Sequence, residues 1–418
     1  MTSKNTRAYD IVLWGATGFV GRLVAEYFAE HYSSSEIQWA LAGRSRAKLE
    51  SLRRHLTATF DSSEALPILL ADAFDRESLD AIAGQSAVVC STVGPYAKYG
   101  RPLVDACVAH GTDYCDLTGE VTWVREIIDR YHDDARAAGA RLVHSCGFDS
   151  VPSDLGTLMI QEHARRTHGR PCERVQLLVS DAQGGVSGGT AASLSGMMAQ
   201  AAQDDRARAV MADPYALNPP GERSGPDAGV QQGAIFHEEI GVWTGPFLMA
   251  AANEKIVRRS MALMTDRYES AFRYGEAMQF GPGGVGAVTA FAVALASAAV
   301  MGAMAVGPLR RLLDSVVLPS PGEGPSRESI EAGYFEMSLY GWGHDESGTP
   351  FEVEGTVAAD RDPGYGATAT MLAESAICLA LNEADSVLPG GSLTPASGLG
   401  MPLVERLRDA GVTFTVVE

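Results

Sequence analysis

The chain has 418 residues, 46% hydrophobic and 20% charged, with 33 basic against 52 acidic side chains and a formal net charge of -19. That size allows two or three domains with a sizeable core, and that charge argues against nucleic acid and against anionic membrane surfaces as primary partners. Six cysteines, Cys90, Cys107, Cys115, Cys146, Cys172 and Cys378, form no CxxC pair and no zinc-type cluster, so they read as reduced thiols of a cytoplasmic protein with no bound metal.

The N-terminal MTSKNTRAYD has no apolar segment and does not read as a secretory signal. Ile11 to Trp14 then form a short apolar run that reads as a buried parallel strand. The turn after it is GATGFVG: Gly15, Ala16, Thr17, Gly18, Phe19, Val20 and Gly21. Leu23, Val24, Tyr27 and Phe28 continue from Phe19 and Val20 at helical spacing. Strand, glycine turn and helix in that order form a cradle in which a pyrophosphate sits on the positive end of the helix. An ordinary strand-to-helix turn is the alternative.

Strand and helix alternate from there to about Cys146. Ile37 to Ala42, Ile68 to Ala71, Ala87 to Val93, Tyr114 to Leu117 and Leu142 to Cys146 read as strands, with helices between them. The fold class is α/β: a doubly wound Rossmann-type parallel sheet, with a second α+β domain inserted before the C-terminal elements. Ligands of such sheets bind at the carboxyl ends of the strands. Arg44 and Ser45 follow the second strand where an NAD-binding chain places a carboxylate, which favours NADP(H) as cofactor. Asp72 ends the third strand as an adenine-facing group or a helix cap. Val93, Gly94, Pro95 and Tyr96 would pass near the nicotinamide ribose. Tyr96 and Tyr99 are the candidate catalytic acids, or else half-buried packing residues. After the sixth strand, Cys146, Phe148, Asp149 and Ser150 are candidate substrate contacts, whereas Ser153 and Asp154 read as helix caps.

The domains are expected at 1–155, 156–360 and 361–418, the last returning to the first. Val175 to Ser180 reads as a strand, Gly184 to Ser193 as a glycine-rich crossing or second anion cradle, and Asp204 to Gly233 as a long irregular loop. Arg258 and Arg259 could grip an anionic substrate tail or face solvent. Ala277 to Leu309 contains no charged residue. Its length suits a segment that spans or touches a membrane. Its small residues suit equally a buried interface helix or the wall of an apolar tunnel. Pro319 to Ser329 reads as a turn, Ala332 to Trp342 and Pro350 to Ala358 as antiparallel strands, and Val412 to Val417 as a last strand.

These segments resemble the saccharopine dehydrogenase-like oxidoreductases over nearly the whole chain. The resemblance is carried by Gly15–Gly21, AGRS (Ala42–Ser45), TVGPYAKYG (Thr92–Gly100), GTDYCDLTGE (Gly111–Glu120) and CGFDSVPSDLG (Cys146–Gly156). SGGT (Ser187–Thr190), VRRSMAL (Val257–Leu263) and DPGYGATA (Asp362–Ala369) add to it. Within that family the chain is most similar to the trans-acting enoyl reductases of mycobacteria. The resemblance implies an NADPH-dependent reductase acting on an α,β-unsaturated lipid or acyl-thioester intermediate carried by a polyketide synthase. Saccharopine reduction itself would need several basic groups for a polycarboxylate. Other readings are an imine or carbonyl reductase acting on a small acid, and a non-catalytic lipid-associated dinucleotide-binding scaffold. Membrane contact and a homodimer are further partners to test.

Overall fold

A computed structural model describes residues 7–60, 66–148, 150–184, 188–310, 313 and 324–417, and the side chains of 188–191 are not among them. The chain divides into two compact units. Met1–Phe148, Ser320–Gly324 and Gly364–Ala410 make the first, and Asp149–Pro319, Pro325–Pro363 and Gly411–Glu418 the second.

In the first unit, β1 (Tyr9–Trp14), β2 (Trp39–Gly43), β3 (Ile68–Leu70), β4 (Ser86–Ser91), β5 (Asp113–Asp116) and β6 (Arg141–Val143) alternate with five helices. The helices are α1 (Phe19–His31), α2 (Arg46–Phe60), α3 (Arg76–Gln85), α4 (Tyr96–His110) and α5 (Val121–Ala138). Ile11, Val12 and Leu13 have no exposed surface, as expected of a central strand covered on both faces.

The second unit begins with α6 (Val151–His168) and the strand β7 (Arg174–Gln183). Then come α7 (Gly188–Ala201), α8 (Asp205–Ala212), β8 (Ile235–His237), β9 (Val242–Gly245), α9 (Ala250–Leu263) and β10 (Arg273–Gln279). The unit continues through α10 (Gly283–Ala305), α11 (Arg327–Glu331), β11 (Tyr334–His344) and β12 (Pro350–Ala359). The chain then returns to the first unit as α12 (Thr368–Ala380), β13 (Gly391–Leu393), α13 (Pro395–Gly398) and α14 (Met401–Asp409), and ends in β14 (Thr413–Val417).

The first sheet runs β13-β6-β5-β4-β1-β2-β3, and every neighbouring pair in it is parallel. Order reverses between β1 and β4, so the crevice of this doubly wound sheet opens beyond Trp14 and Ser91. The second sheet runs β14-β12-β11-β7-β10-β9-β8 and is antiparallel except where β10 joins β7. Helix α6 lies close on this sheet: a Cβ at Gly156 would stand 3.0 Å from Val357 Cγ2.

Three expectations need correction. The first boundary falls after Phe148 rather than after Leu155, because α6 packs on the second sheet from its first turn. The segment 361–418 does not return whole: β14 pairs antiparallel with β12, and buried Phe414 anchors it there. Asp204 to Gly233 is not wholly irregular, because α8 starts at Asp205, with Asp204 accepting a hydrogen bond from Arg206 N. Gly185–Ser187 and most of Pro319–Gly324 lie outside the described residues, so the glycine-rich crossing and that turn are described only in part.

Candidate functional site

The turn after β1 is shaped by sterics at its glycines. Gly15 has φ +92, where a side chain would be strained, and a Cβ there would stand 2.6 Å from Val93 Cγ2. A Cβ at Gly21 would stand 2.2 Å from the Gly15 carbonyl oxygen, so α1 approaches the turn as only glycine allows. Gly15 N and Ala16 N donate to Ala42 O at the end of β2, and Gly18 N donates to Gly15 O. No side chain caps the N-terminus of α1 and no acidic residue lies in its first turn. The uncapped amides at the start of α1 therefore suit an anion, with the helix dipole behind them.

The neighbouring strand ends complete the edge. Thr92 N donates to Trp14 O, and the Thr92 hydroxyl bridges Trp14 O and Gly15 O at 3.2 Å each, tying the turn after β4 to the cradle. Val93, Gly94 and Pro95 follow, with a cis bond before Pro95. Arg44 is exposed just past β2, and its guanidinium has no partner among the described residues. A free guanidinium there suits a 2′-phosphate. Ser45 caps the start of α2 through Lys48 N at 3.4 Å. Asp72 accepts from Phe74 N at 2.9 Å, a local turn rather than a helix cap.

The candidate tyrosines separate. Tyr96 is buried and its hydroxyl donates to Ser91 O at 3.0 Å. Burial, with the Asp116 and Glu120 carboxylates nearby, pushes that phenol well above its ordinary value. Tyr99 is half-buried against Phe74, ring centroids 5.6 Å apart, with Lys98 over its face. Phe74 follows β3, so Tyr99 sits toward the adenine side of the crevice. The Cys146 thiol is wholly buried and raised well above the ordinary thiol range by desolvation, which suppresses the thiolate. Phe148 N donates to Thr368 Oγ1 at 3.1 Å within the first unit. Ser150 belongs to the second unit, where its hydroxyl donates to Asn253 Oδ1 at 3.1 Å. Asp149 lies outside the described residues. The structure thus gathers the glycine turn, Arg44, Ser45, Asp72 and Val93–Pro95 on one sheet edge. It does not bring the Tyr96 and Tyr99 hydroxyls together: the first is bonded to Ser91 O and the second ring packs on Phe74.

Sequence reasoning missed three arrangements. Glu120 caps α4 from 24 residues away, its two oxygens accepting from Tyr96 N and Ala97 N at 2.9 Å each. Asp116, at the carboxyl end of β5, accepts from Thr118 N and Ser145 N at 3.1 Å and lies 2.8 Å from His144 Nδ1. These bonds hold Ser145 at φ +63, a strained value for serine, just past β6. His144 Nε2 has no partner among the described residues. The third lies in the second unit. Glu276 accepts from Tyr274 OH at 2.8 Å and Asn253 Nδ2 at 3.0 Å, and its own N donates to Glu254 at 3.2 Å. Desolvation raises its carboxyl from 4.5 to about 7, against which the hydrogen bonds pull. Arg258 is buried beside it, paired with Glu254 and Asp227 at 2.8 Å each, and Arg259 is also buried. Neither arginine faces solvent, and Arg258 is engaged within its own unit.

Comparison with known proteins places this geometry. Residues 11–143 match the saccharopine dehydrogenase NADP binding domain. A Mycobacterium tuberculosis protein is 42% identical over 420 residues, covering 98% of this chain and 97% of its own length. The trans-acting enoyl reductases of M. tuberculosis and Mycobacterium leprae are 40% and 39% identical over 425 residues, covering 99% of this chain and 98% of theirs. Saccharopine dehydrogenase of Saccharomyces cerevisiae shares the fold, with a TM-score of 0.54 at 14% identity over 98% of this chain and 99% of that one. Residues 11–143 thus form the NADP binding domain of an oxidoreductase, and the chain belongs to the family of the trans-acting enoyl reductases, within the saccharopine dehydrogenase-like fold.

Proposed function

We propose that the protein reduces the double bond of an α,β-unsaturated acyl thioester, working in trans on a chain built by a polyketide synthase. The observation that carries this reading is near-full-length similarity to trans-acting enoyl reductases, joined to an NADP cradle whose steric demands this chain meets at Gly15 and Gly21. When bound, NADPH supplies a hydride for the β-carbon of the substrate. The chain's own part begins with the amides of the Gly15–Gly21 turn, which hold the pyrophosphate, and Arg44, which holds the 2′-phosphate. Charge then builds on the thioester oxygen, where donors aimed at the enolate supply most of the acceleration. Protonation of the α-carbon falls to water or to Tyr96 or Tyr99. Water is favoured, since Tyr96 is tied to Ser91 O and Tyr99 packs on Phe74. Six buried, unpaired thiols support a cytoplasmic setting.

The test follows loss of NADPH absorbance with trans-2-enoyl thioesters of increasing chain length, for the wild type and Arg44→Ala. Turnover that rises with chain length is expected, and Arg44→Ala should raise the NADPH KM about tenfold to a hundredfold, the loss of one charged hydrogen-bonding group. NADPH binding without turnover on any enoyl thioester would leave a dinucleotide-binding scaffold instead. Oxidation that favours short imino or keto acids would leave the small-acid reductase.

A further inference from the structure

Helix α10 has a feature its role in the fold does not explain. It runs 23 residues without a charge, and only Gly286, Ala290, Ala294 and Met304 are buried. Those first three recur every four residues, one face of a helix, and that face seats on β9. It also meets α7, but much of the rest of its surface is exposed: Val285 is 84% exposed, Val288 71%, Phe291 59% and Leu295 74%. Beside its N-terminal half, Phe291 touches Trp243 at 5.8 Å between centroids, and Trp243 touches Phe236 of the edge strand β8 at 5.4 Å. Phe236 and Ile235 are exposed as well. Apolar surface of this extent on one side of a soluble fold marks a contact surface.

We propose that α10 and the adjoining β8–β9 edge lie on a phospholipid bilayer, with α10 sunk in the interface plane rather than crossing it. Three observations select this occupant. The first is charge. The chain carries -19, yet Ala277 to Leu309 holds no carboxylate, and charge resumes with Arg310 and Arg311. The Arg310 guanidinium donates to Met304 O at the C-terminal end of α10, and beside a helix lying flat its long side chain can reach the neighbouring lipid phosphates. The acidic surface is thus interrupted by one apolar face with a cation at one end and an aromatic ladder at the other, the arrangement an interface with polar heads and acyl chains selects.

The second is size. A helix of this length is about 34 Å long and presents a strip about 10 Å wide, on the order of 340 Å². A stable dimer buries roughly 800 Å² per partner, so a second copy pairing through α10 would have to recruit other surface as well. A bilayer needs no complementary partner surface and takes the whole exposed circumference.

The third is topology. The length would span the hydrocarbon core. But α10 is fastened along Gly286, Ala290 and Ala294 to β9, next to the open edge of β8. Spanning would carry that edge, with its free backbone groups, into hydrocarbon. Lying flat sinks the apolar side chains, Ile235 and Phe236 among them, and leaves the free backbone groups of the β8 edge in the hydrated headgroup layer.

The test is flotation of the full-length protein with vesicles of phosphatidylcholine, whose headgroups carry no net charge to repel an acidic chain, beside a Val288→Glu/Leu295→Glu variant. Both substituted positions are exposed, so nucleotide binding, read by NADPH fluorescence, should match the wild type and report an intact fold. Wild-type protein should float and the variant should lose vesicle-bound fraction about tenfold or more. Lipids brominated at the middle of the acyl chain should quench wild-type tryptophan fluorescence, and Trp243→Phe should remove most of that quenching. Wild-type protein that stays at the bottom of the gradient overturns the proposal. So does a wild-type dimer in light scattering that the double variant dissolves, which would assign the face to a second copy. Because flotation needs no turnover, its outcome is separate from that of the enoyl reductase assay.

Discussion

At Glu276, burial and hydrogen bonding pull in opposite directions, and burial wins. The folded carboxyl sits at about 7 against an ordinary 4.5, so between those values the folded protein binds the extra proton. Its stabilising contribution is therefore complete below about pH 4.5 and is lost as pH rises through about 7. The loss amounts to roughly 3 kcal/mol, at about 1.4 kcal/mol for each tenfold change in proton affinity. Glu276→Gln keeps an acceptor for Tyr274 OH and removes the titration. Thermal melting between pH 5 and 8 should fall for the wild type and stay flatter for the variant; parallel profiles would show that the carboxyl titrates elsewhere. Tyr96 calls for the opposite kind of test. Its hydroxyl is held by Ser91 O, so Tyr96→Phe should cost about 1 kcal/mol in urea unfolding and leave turnover near wild type. A drop in kcat at unchanged NADPH affinity would instead make Tyr96 the proton donor.

The elements around the crevice depend on a few close approaches. Gly21→Ala puts a methyl against the Gly15 carbonyl, 2.2 Å away, and α1 must withdraw. NADPH binding should be lost in titration calorimetry while far-ultraviolet circular dichroism retains the α/β signal. Glu120→Ala strips the cap from α4 and should cost about 1–2 kcal/mol, read by chemical unfolding. The glycine turn and the strand–helix alternation were legible because their constraints are local: a positive φ, a close approach within one turn, a short apolar run. Glu120 gave no signal, since a cap drawn from 24 residues away leaves no spacing to read. The same holds for Asp116 with His144, and for Glu276 with Asn253, pairs made by strand order rather than by sequence. Arg258 and Arg259 read as a grip for an anionic tail or as a solvated face, because the burial of Arg258 depends on carboxylates at Asp227 and Glu254, the first of them distant in sequence.

In the molecule as a whole, the largest departure from expectation is the route of the chain. A five-residue alternating strand at the end of a sequence does not say which sheet it joins, and β14 joins the second. Phe414→Ala should therefore destabilise the protein by about 3–5 kcal/mol through a unit remote in sequence from the cradle, lowering the melting temperature while NADPH affinity at low temperature persists. Equal loss of nucleotide affinity at low temperature would refute that separation. The chain passes between the units after Phe148, after Pro363 and after Ala410.

That route sets an order of events during synthesis. On the ribosome, β1 to β6 can pair as they emerge, but the edge strand β13 arrives only after the long insertion that forms most of the other unit has been made. The second sheet waits longer still: β12 keeps an open edge until residue 417 clears the exit tunnel. An exposed β edge invites aggregation for the whole of that interval. The nascent chain should therefore lean on holdase chaperones between the synthesis of β12 and that of β14, and slowing translation over that interval should lower soluble yield.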